Sequence, residues 1–331
     1  MIGTVLEDAP RAPHGAKGAP LYGTYRGACL TTSLDQVAAH AKLGRLRQLF
    51  ARKRWQWFCA FGEEVAVGGA LVDLGYAAQV FCWVFDRSSG AMLADVSQTL
   101  PSASMFVTQV TTSGVLARCK LLSSSLQITR HGQVTHVSGR LREIELDLSL
   151  DDAATSPMTA ICPLSGGRTN LTQKQAGLRA SGWVRVDGQQ LDLGDESVGL
   201  LDYSHGLLER STSWLWGIGA GVREDGARVG FNFIQGFNAG FENVVWIDGE
   251  PRGVREVSFA FDEEDPAKPW KITDGAGFID LCLTPEGVRV EDIDLGLAAS
   301  NYEQPLGRWT GRIGDASVSA LGVAERHFAK W

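Results

Sequence analysis

Long apolar runs and an excess of basic charge are both missing from this sequence of 331 residues. No stretch reaches the roughly 18 uninterrupted apolar residues that a membrane-spanning helix needs, so we expect no transmembrane segment. The formal net charge is −7, whereas a protein that contacts the phosphates of nucleic acid normally presents a basic face. We therefore expect no nucleic-acid partner.

The N-terminal region also lacks the apolar run of a secretory signal peptide. Glu7, Asp8, Pro10 and Pro13 stand where that run would lie, which favours a cytoplasmic location. The six cysteines stand singly, without the C-x-x-C spacing of zinc sites, and in a reducing compartment they behave as small apolar side chains. We expect neither a disulfide nor a metal site.

Helical periodicity is nearly absent after residue 50, and one short helix is predicted before it. Ser33 and Gln36 have the spacing of a capping box, and apolar residues then recur at helical spacing as far as Gly44. The basic triplet Arg52–Arg54 follows, and we interpret it as a solvated strand edge guarded by charge.

Strand-like patterns dominate the rest of the chain. Three apolar runs rich in aromatic and β-branched residues predict three consecutive antiparallel strands, at Trp55–Phe61, Ala66–Val72 and Ala78–Phe85. Ile144–Leu150 alternates apolar and polar residues without a break, as a strand with one buried face does. Asp-Gly pairs beginning at residues 187, 225 and 248 predict hairpin turns, because this dipeptide accepts positive φ angles.

The number of strands sets the predicted domain organisation. Glycine, with 39 residues, and tryptophan, with 10, are both abundant, a combination typical of barrels and sandwiches. The predicted strands are too many for one small barrel, so we predict a mostly β fold of two units. The predicted divisions are an extended N-terminal arm at 1–28, an N-terminal β domain at 29–190 and a C-terminal β domain at 191–331.

The densest group of reactive side chains lies in Leu201–Gly206, shortly before the aromatic run Trp214–Gly219. Asp202 stands among aromatic residues, where loss of hydration favours the protonated form of a carboxyl group and suits it to donate a proton. His205 is its predicted partner. The structural alternative is that Asp202 caps a turn while backbone groups satisfy His205.

Glu242 stands at the start of a strand predicted to be buried, where a carboxylate must be paired, protonated or used as an acid or base. Amide side chains nearby are expected to line the same cavity as polar anchors. The predicted catalytic residues are Asp202, His205 and Glu242, and the predicted substrate-binding residues are Tyr203, Trp214, Trp216, Asn232, Gln235, Asn243 and Trp246.

Glu325 and His327 close the chain on a predicted strand. They are two residues apart, so they share one face and can bond each other or a ligand. We interpret them as structural, since a terminal strand often locks a barrel shut.

Several of these segments together resemble a bacterial family described as domain-of-unknown-function family 2804. The resemblance runs from about residue 25 to the end of the chain. It is carried by the blocks Arg54–Trp57, Val72–Tyr76, Thr172–Lys174, Leu201–Gly206, Trp214–Trp216, Glu242–Asn243 with Trp246–Gly249, and Glu325–His327 ending at Trp331.

That family is similar in fold to carotenoid hydratase, tocopherol cyclase and related pericyclase proteins. The resemblance implies two lipocalin-like antiparallel β-barrel or sandwich units in tandem, with few short helices. It also implies a deep apolar pocket and, at Asp202, a carboxyl group that protonates an alkene or a tertiary alcohol.

The sequence therefore predicts a cofactor-independent acid–base enzyme that acts on an apolar or aromatic small molecule. The reaction would be hydration, dehydration, isomerisation or cyclisation, with Asp202 as the proton donor. The alternative is a non-catalytic carrier of a lipid-like or isoprenoid ligand in a β-barrel cavity, with Asp202 and Glu242 as hydrogen-bonding anchors. A carbohydrate-active enzyme is a weaker third hypothesis because no clear second acid accompanies Asp202. Substrate and oligomeric state are not indicated.

Overall fold

The computed structural model describes residues 3–42, 44–121, 124–294 and 298–331. The chain is mostly β and forms two sheets, one a nearly closed barrel and the other a half-barrel. The described residues contain only two short α-helices, α1 (Ala38–Ala41) and α2 (Arg45–Ala51). The predicted fold class is thus confirmed.

Within the described ranges, twenty-five strands build the two sheets. In chain order they are β1 (Thr4–Val5), β2 (Glu7–Asp8), β3 (Gly23–Arg26), β4 (Arg52–Phe61), β5 (Val65–Asp73), β6 (Ala77–Asp86), β7 (Ala91–Pro101), β8 (Met105–Val107), β9 (Gly114–Leu121), β10 (Ser124–His131), β11 (Val134–Leu141), β12 (Ile144–Asp151), β13 (Met158–Pro163), β14 (Thr169–Val186), β15 (Gln189–Asp192), β16 (Val198–Leu207), β17 (Ser211–Arg223), β18 (Arg228–Gln235), β19 (Val244–Ile247), β20 (Glu250–Gly253), β21 (Val257–Ala260), β22 (Trp270–Asp274), β23 (Ile279–Asp294), β24 (Ala299–Ile313) and β25 (Ala316–Lys330).

The first sheet is the barrel and runs in the order β7-β6-β5-β4-β16-β14-β12-β11-β10-β9-β8, with β2, β3, β13 and β15 attached beside it. The second sheet runs β1-β20-β19-β18-β17-β25-β24-β23-β22-β21. The first sheet therefore includes β16, which lies beyond residue 190, and the second includes β1 from the N-terminal arm. The domain divisions at residues 28 and 190 stay predictions.

The strand and turn predictions are confirmed where the pattern was strongest. The three apolar runs after Trp55 form β4, β5 and β6, which pair antiparallel with one another. Asp187 and Asp248 both have a φ of 49° and connect β14 to β15 and β19 to β20. Gly226, at a φ of 82°, lies in the turn between β17 and β18.

The interpretation of Arg52–Arg54 as a solvated edge is wrong, because β4 lies between β5 and β16 inside the sheet. Lys53 is fully buried, and its Nζ donates hydrogen bonds to the carbonyls of Phe50 (2.6 Å) and Leu74 (2.9 Å). Burial lowers the pKa of Lys53 to about 8.

Strands β4 to β6 are buried on both faces, and this positions the site. Phe58 and Ala60 of β4 point into the barrel, where they join a core that fills its interior. Trp57 and Phe61 point outward and pack against Ile218 and other residues of the second sheet. A strand with two buried faces must be apolar throughout, which explains why these segments read as continuous apolar runs.

No helix within the described ranges is long and apolar enough to cross a bilayer.

Candidate active site

A cavity of about 290 Å³ lies between the two sheets. It is walled by the outward faces of β4–β6, β14 and β16 on one side and by β17 and β23–β25 on the other. The barrel interior is filled by its own apolar core, so this space differs from the β-barrel cavity of the carrier hypothesis. Its aromatic lining consists of Trp55, Trp57, Tyr76, Phe81, Trp214, Trp216, Phe237, Tyr302 and Trp331.

A buried ion triad closes the inner end of the cavity. The Lys174 ammonium lies 3.0 Å from Asp202 Oδ1 and 3.1 Å from Glu242 Oε2, and all three side chains are less than a tenth exposed. Burial opposes the charge of Lys174, but the two carboxylates outweigh it and raise the pKa of Lys174 above its ordinary value. Nζ also lies 4.7 Å from the ring centre of Trp216, a cation–π contact.

The register of the barrel sheet makes this triad. Lys174 on β14 is the direct antiparallel partner of Asp202 on β16, so the two side chains leave the sheet on the same face. Asp202 also accepts hydrogen bonds from Trp55 Nε1 (3.1 Å) and Thr172 Oγ1 (3.3 Å). Asp202 is therefore held in place by an ammonium and by neutral donors from neighbouring strands.

A further carboxyl group of the cavity is that of Glu325 on β25. It is 5% exposed, and its Oε1 accepts a 2.7 Å hydrogen bond from Trp214 Nε1 while Oε2 accepts one of 3.0 Å from Gln304 Nε2. Burial raises the pKa of Glu325 to about 7, against the opposing effect of the Trp214 indole. A carboxyl group that changes protonation near neutral pH is suited to act as a general acid or base.

His327 shares the face of Glu325, as the strand periodicity predicts, and both line the cavity. Its Nδ1 lies 3.8 Å from Glu325 Oε1, and its Nε2 is hydrogen-bonded to Ser300 Oγ at 3.0 Å. Burial lowers the pKa of His327 to about 3, so its imidazole is neutral at physiological pH. Its ring packs edge-on against Trp214 and Tyr302.

Arg289 is the second buried cation of the cavity. Its side chain is 2% exposed and donates to Asp95 Oδ1 at 3.0 Å and to Glu291 Oε2 at 2.7 Å, while its guanidinium lies over Phe81 and Tyr302. Two cations therefore face four carboxylates, counting the pair that contacts Lys174. This cluster is net negative, which favours a positively charged ligand or intermediate over an anionic one.

Four of the ten predicted site residues line the cavity: Asp202, Glu242, Trp214 and Trp216. His205 and Tyr203 are not brought to it, because successive residues of β16 point to opposite faces. His205 Nδ1 is hydrogen-bonded to the Thr32 carbonyl at 2.9 Å, and burial lowers its pKa to about 3. Tyr203 donates to the Thr108 carbonyl at 2.8 Å, in the barrel core.

The other four predicted residues have structural contacts. Asn232 accepts a 2.7 Å hydrogen bond from Trp216 Nε1 and so orients a cavity wall. Gln235 is exposed and accepts from the Phe259 amide, while Asn243 accepts from the amide of Ile234. Trp246 donates a hydrogen bond from its indole Nε1 to the Ser156 carbonyl at 2.8 Å, outside the cavity.

Sequence reasoning missed Lys174 and Arg289 and placed Glu325 among the structural residues. A lysine or arginine in a strand is ordinarily exposed, so residue type gave no reason to place either in the site, and Lys174 stood out only as part of the block Thr172–Lys174. For Glu325 the available signal was its two-residue spacing from His327, directly after a stretch of small and apolar residues at 316–324. Within the part of the chain that the structure describes, no three His, Cys, Asp or Glu side chains form a group that could hold a metal ion.

A family model described as a domain of unknown function (DUF2804) matches residues 12–331 of this chain. Kievitone hydratase from Nectria haematococca has a similar structure, with a TM-score of 0.50 at 13% sequence identity over 82% of this chain and 88% of its own. CghA, solved with Sch210972, has a TM-score of 0.57 at 12% identity over 98% of both chains.

The AttH-like protein NE1406 from Nitrosomonas europaea has a TM-score of 0.52 at 13% identity, over 86% of this chain and 96% of that one. No curated protein matches the sequence. At these identities the similarity to solved structures establishes the fold alone. The resemblance drawn from the sequence blocks is thus confirmed for the family and for the fold.

Proposed function

This chain belongs to the DUF2804 family, and from that premise and the geometry of its cavity we propose that it is a cofactor-independent acid–base enzyme acting on an apolar or aromatic small molecule. The reaction class is hydration, dehydration, isomerisation or cyclisation, and the proton donor is Glu325. A hydratase with the same fold supports this reaction class.

The observation that carries the proposal is the placement of Glu325. It is a buried carboxyl group on the wall of an aromatic cavity, and its pKa of about 7 leaves a large share of it protonated at neutral pH. Two N–H donors hold both of its oxygens, so the carboxyl plane is fixed toward the cavity wall. A positioned acid of this kind contributes roughly 10²–10⁴-fold to a rate.

In a hydration, the Glu325 carboxyl group gives its proton to one alkene carbon, and positive charge develops on the neighbouring carbon. Water then adds to that carbon and returns a proton to the Glu325 carboxylate, so the enzyme ends unchanged. Dehydration runs the same steps in reverse. The rings of Trp55 and Trp214, stacked 6.4 Å apart, offer π faces to the developing cation.

Asp202, the donor that the sequence predicts, is paired with the Lys174 ammonium, so we assign it a different role. Its charge and that of Glu242 are only partly neutralised by the single ammonium of Lys174. The residual negative charge at the inner end of the cavity stabilises a cationic intermediate through space. The alternative is that Asp202 is itself the proton donor, and the experiment below distinguishes the two assignments.

The experiment begins with native mass spectrometry of the purified protein, followed by organic extraction of any bound molecule. We expect an isoprenoid, polycyclic or aromatic compound that carries an alkene or a tertiary alcohol. Turnover of that compound should fall by at least about 100-fold in Glu325→Gln, which keeps the size of the side chain and one acceptor oxygen but cannot donate a carboxyl proton.

Asp202→Asn is the matched comparison, because it removes a carboxylate from the same cavity. We expect it to weaken turnover less than Glu325→Gln does, since the charge near the intermediate changes while the donor stays. Full activity in Glu325→Gln together with complete loss in Asp202→Asn would return the role of donor to Asp202.

A carrier of an apolar ligand is the second candidate function, and the ion triad favours it. Asp202 and Glu242 are both paired with Lys174, as anchoring groups would be. Extraction of a saturated fatty acid or phospholipid, which offers nothing to protonate, would support the carrier over the enzyme.

A further inference from the structure

The region next to the cavity has an unusual charge distribution. Between residues 36 and 62 the sequence contains no acidic residue, although the whole chain has a net charge of −7. The same interval contains six cations, at Lys42, Arg45, Arg47 and Arg52–Arg54. Lys53 is buried and Arg54 is paired with Asp73, but Lys42 and Arg47 are exposed to solvent.

Helix α2 within this interval presents an exposed apolar stripe. Leu46, Leu49 and Phe50 are 69%, 38% and 52% exposed. They are spaced i, i+3 and i+4, so they lie on one face of the helix, and Arg47 lies at its flank. Exposed apolar side chains on a helix beside basic ones are typical of helices that lie in a lipid interface.

The helix lies at the mouth of the cavity. The Phe50 ring contacts that of Tyr76 with ring centres 5.4 Å apart, and Tyr76 lines the cavity. Tyr76 and Trp331 are partly exposed, whereas Lys174 and Glu242 at the other end are buried, so the open end is the one beside α2.

The attachment of the helix to the rim is rigid at its C-terminal end. Lys53 Nζ joins the Phe50 carbonyl to the Leu74 carbonyl, next to the rim residue Tyr76. A side chain at Gly75 would collide with the Leu49 carbonyl, which shows how closely helix and rim approach. The stripe is therefore held in a fixed position relative to the mouth.

We propose that α2, with Lys42 and Arg47, docks the mouth of the cavity on an anionic lipid surface, so that an apolar ligand enters directly from the bilayer. The lipid phosphates match the basic residues, and the acyl boundary accepts Leu46, Leu49 and Phe50. An acidic protein partner would satisfy the cations but gives no reason for the apolar stripe to face a ligand entrance. On the second sheet, Asp292 and Asp294 are the neighbours of the cavity-lining Ile293 on β23, so we expect lipid contact on the helical side of the mouth.

The part of the proposal that concerns ligand entry rests on the proposed function, but lipid binding does not. The test is co-sedimentation of the full chain with vesicles of phosphatidylglycerol and phosphatidylcholine in equal parts, and with vesicles of phosphatidylcholine alone. We expect binding to the mixed vesicles only, weakened by added salt.

Two variants with matched controls locate the surface. Lys42→Glu with Arg47→Glu should weaken binding by roughly 30-fold or more, since each basic residue near an anionic surface contributes about 1 kcal/mol. Lys120→Glu with Arg308→Glu makes the same change in net charge at exposed positions elsewhere and should bind like the unmodified chain.

The apolar stripe is tested separately. Leu46→Ser with Phe50→Ser should weaken vesicle binding by roughly tenfold or more, because buried apolar area is lost from the interface. Phe106→Ser with Val222→Ser removes similarly exposed side chains, 45% and 52%, outside the helix and should leave binding unchanged. Unaltered thermal melting of every variant shows that it folds.

Two results would overturn the proposal. One is failure of the unmodified chain to bind the mixed vesicles. The other is equal loss of binding in the helix variants and in their controls. Either result leaves the assignment of Glu325 untouched, because vesicle binding is measured without turnover.

Discussion

At the scale of single residues, the cavity holds carboxyl groups with different partners. Asp202 is paired with the Lys174 ammonium, whereas Glu325 is buried and accepts from the neutral side chains of Trp214 and Gln304. Burial raises the pKa of Glu325 to about 7. This difference, more than the mere presence of carboxylates, is what identifies an acid–base site.

The sequence could point to the region but not to this division of roles. Asp202 and Glu242 attracted attention as polar residues among apolar ones, and both line the cavity. Their partner Lys174 is 28 positions before Asp202 in the numbering, and only the register of β14 and β16 makes them neighbours. Side-chain pairing across strands leaves no local signal.

The ion triad gives a stability prediction. Lys174→Met removes the cation and leaves two buried carboxylates uncompensated, so we expect a loss of about 3–5 kcal/mol in the free energy of unfolding. Neutralising the carboxylates as well, in Lys174→Met with Asp202→Asn and Glu242→Gln, should restore much of that loss. Urea unfolding followed by circular dichroism measures both.

The control for this series is the comparison between the two variants themselves, since they share the Lys174 change. A triple variant that is less stable than Lys174→Met would contradict the account, because it would mean that the carboxylates are not strained by the missing charge.

At the scale of elements, strands were predictable, whereas the predicted start of the first helix was wrong and α2 was not predicted. The apolar runs after Trp55 have the composition and length of strands, and they form β4 to β6. The capping box at Ser33 and Gln36 predicts a helix start, but α1 begins at Ala38 without a side-chain cap. Ser33 Oγ instead accepts from the Asp35 amide at 3.3 Å, a local turn that competes with the helix.

Close packing between strands gives a prediction at this scale. Gly68 of β5 lies under the buried Trp83 ring, and an added Cβ would lie 2.5 Å from the ring. Gly68→Ala should therefore destabilise the fold by about 1–3 kcal/mol, as overpacking does. The matched control is Gly275→Ala, whose Cβ would meet nothing within 4 Å. Thermal melting compares them, and equal effects of the two changes would contradict the packing described.

At the scale of the whole molecule, the site is a product of the way two sheets meet. The barrel interior is filled, and the outer faces of β4–β6 pack against the second sheet. A sequence pattern predicts that such strands are buried, but it does not say which face meets a second sheet or where that contact leaves a gap. The location of the cavity was therefore beyond sequence reasoning.

Three histidines, two of them buried and His327 largely so, make the whole fold sensitive to acid. Burial lowers the pKa of His40 to about 4 and those of His205 and His327 to about 3. The unfolded chain, with histidine pKa values near 6.5, binds more protons than the folded chain in this range, so stability falls as pH falls below about 6.5. At about pH 5 each histidine should cost on the order of 2 kcal/mol.

Glu325 acts in the opposite sense. Because its pKa is raised to about 7, the folded chain binds more protons than the unfolded chain at pH values between the ordinary glutamate pKa and 7, so this group adds stability as the pH falls. The histidine effect is isolated by comparing urea unfolding at about pH 7.5 and pH 5 in the unmodified chain and in His205→Asn. The variant should lose about 2 kcal/mol less on acidification. An equal loss in both proteins would show that His205 is not held neutral by the fold.

The central claim is that Glu325 is a proton donor poised near neutrality, and its titration tests this most directly. Carbon-13 NMR of glutamate-labelled protein, with the Glu325 signal assigned by its absence in Glu325→Gln, gives the midpoint of its ionisation. The account predicts a midpoint at about 7. A midpoint near the ordinary value of glutamate, about 4.3, would contradict it, because Glu325 would then be ionised throughout the physiological range.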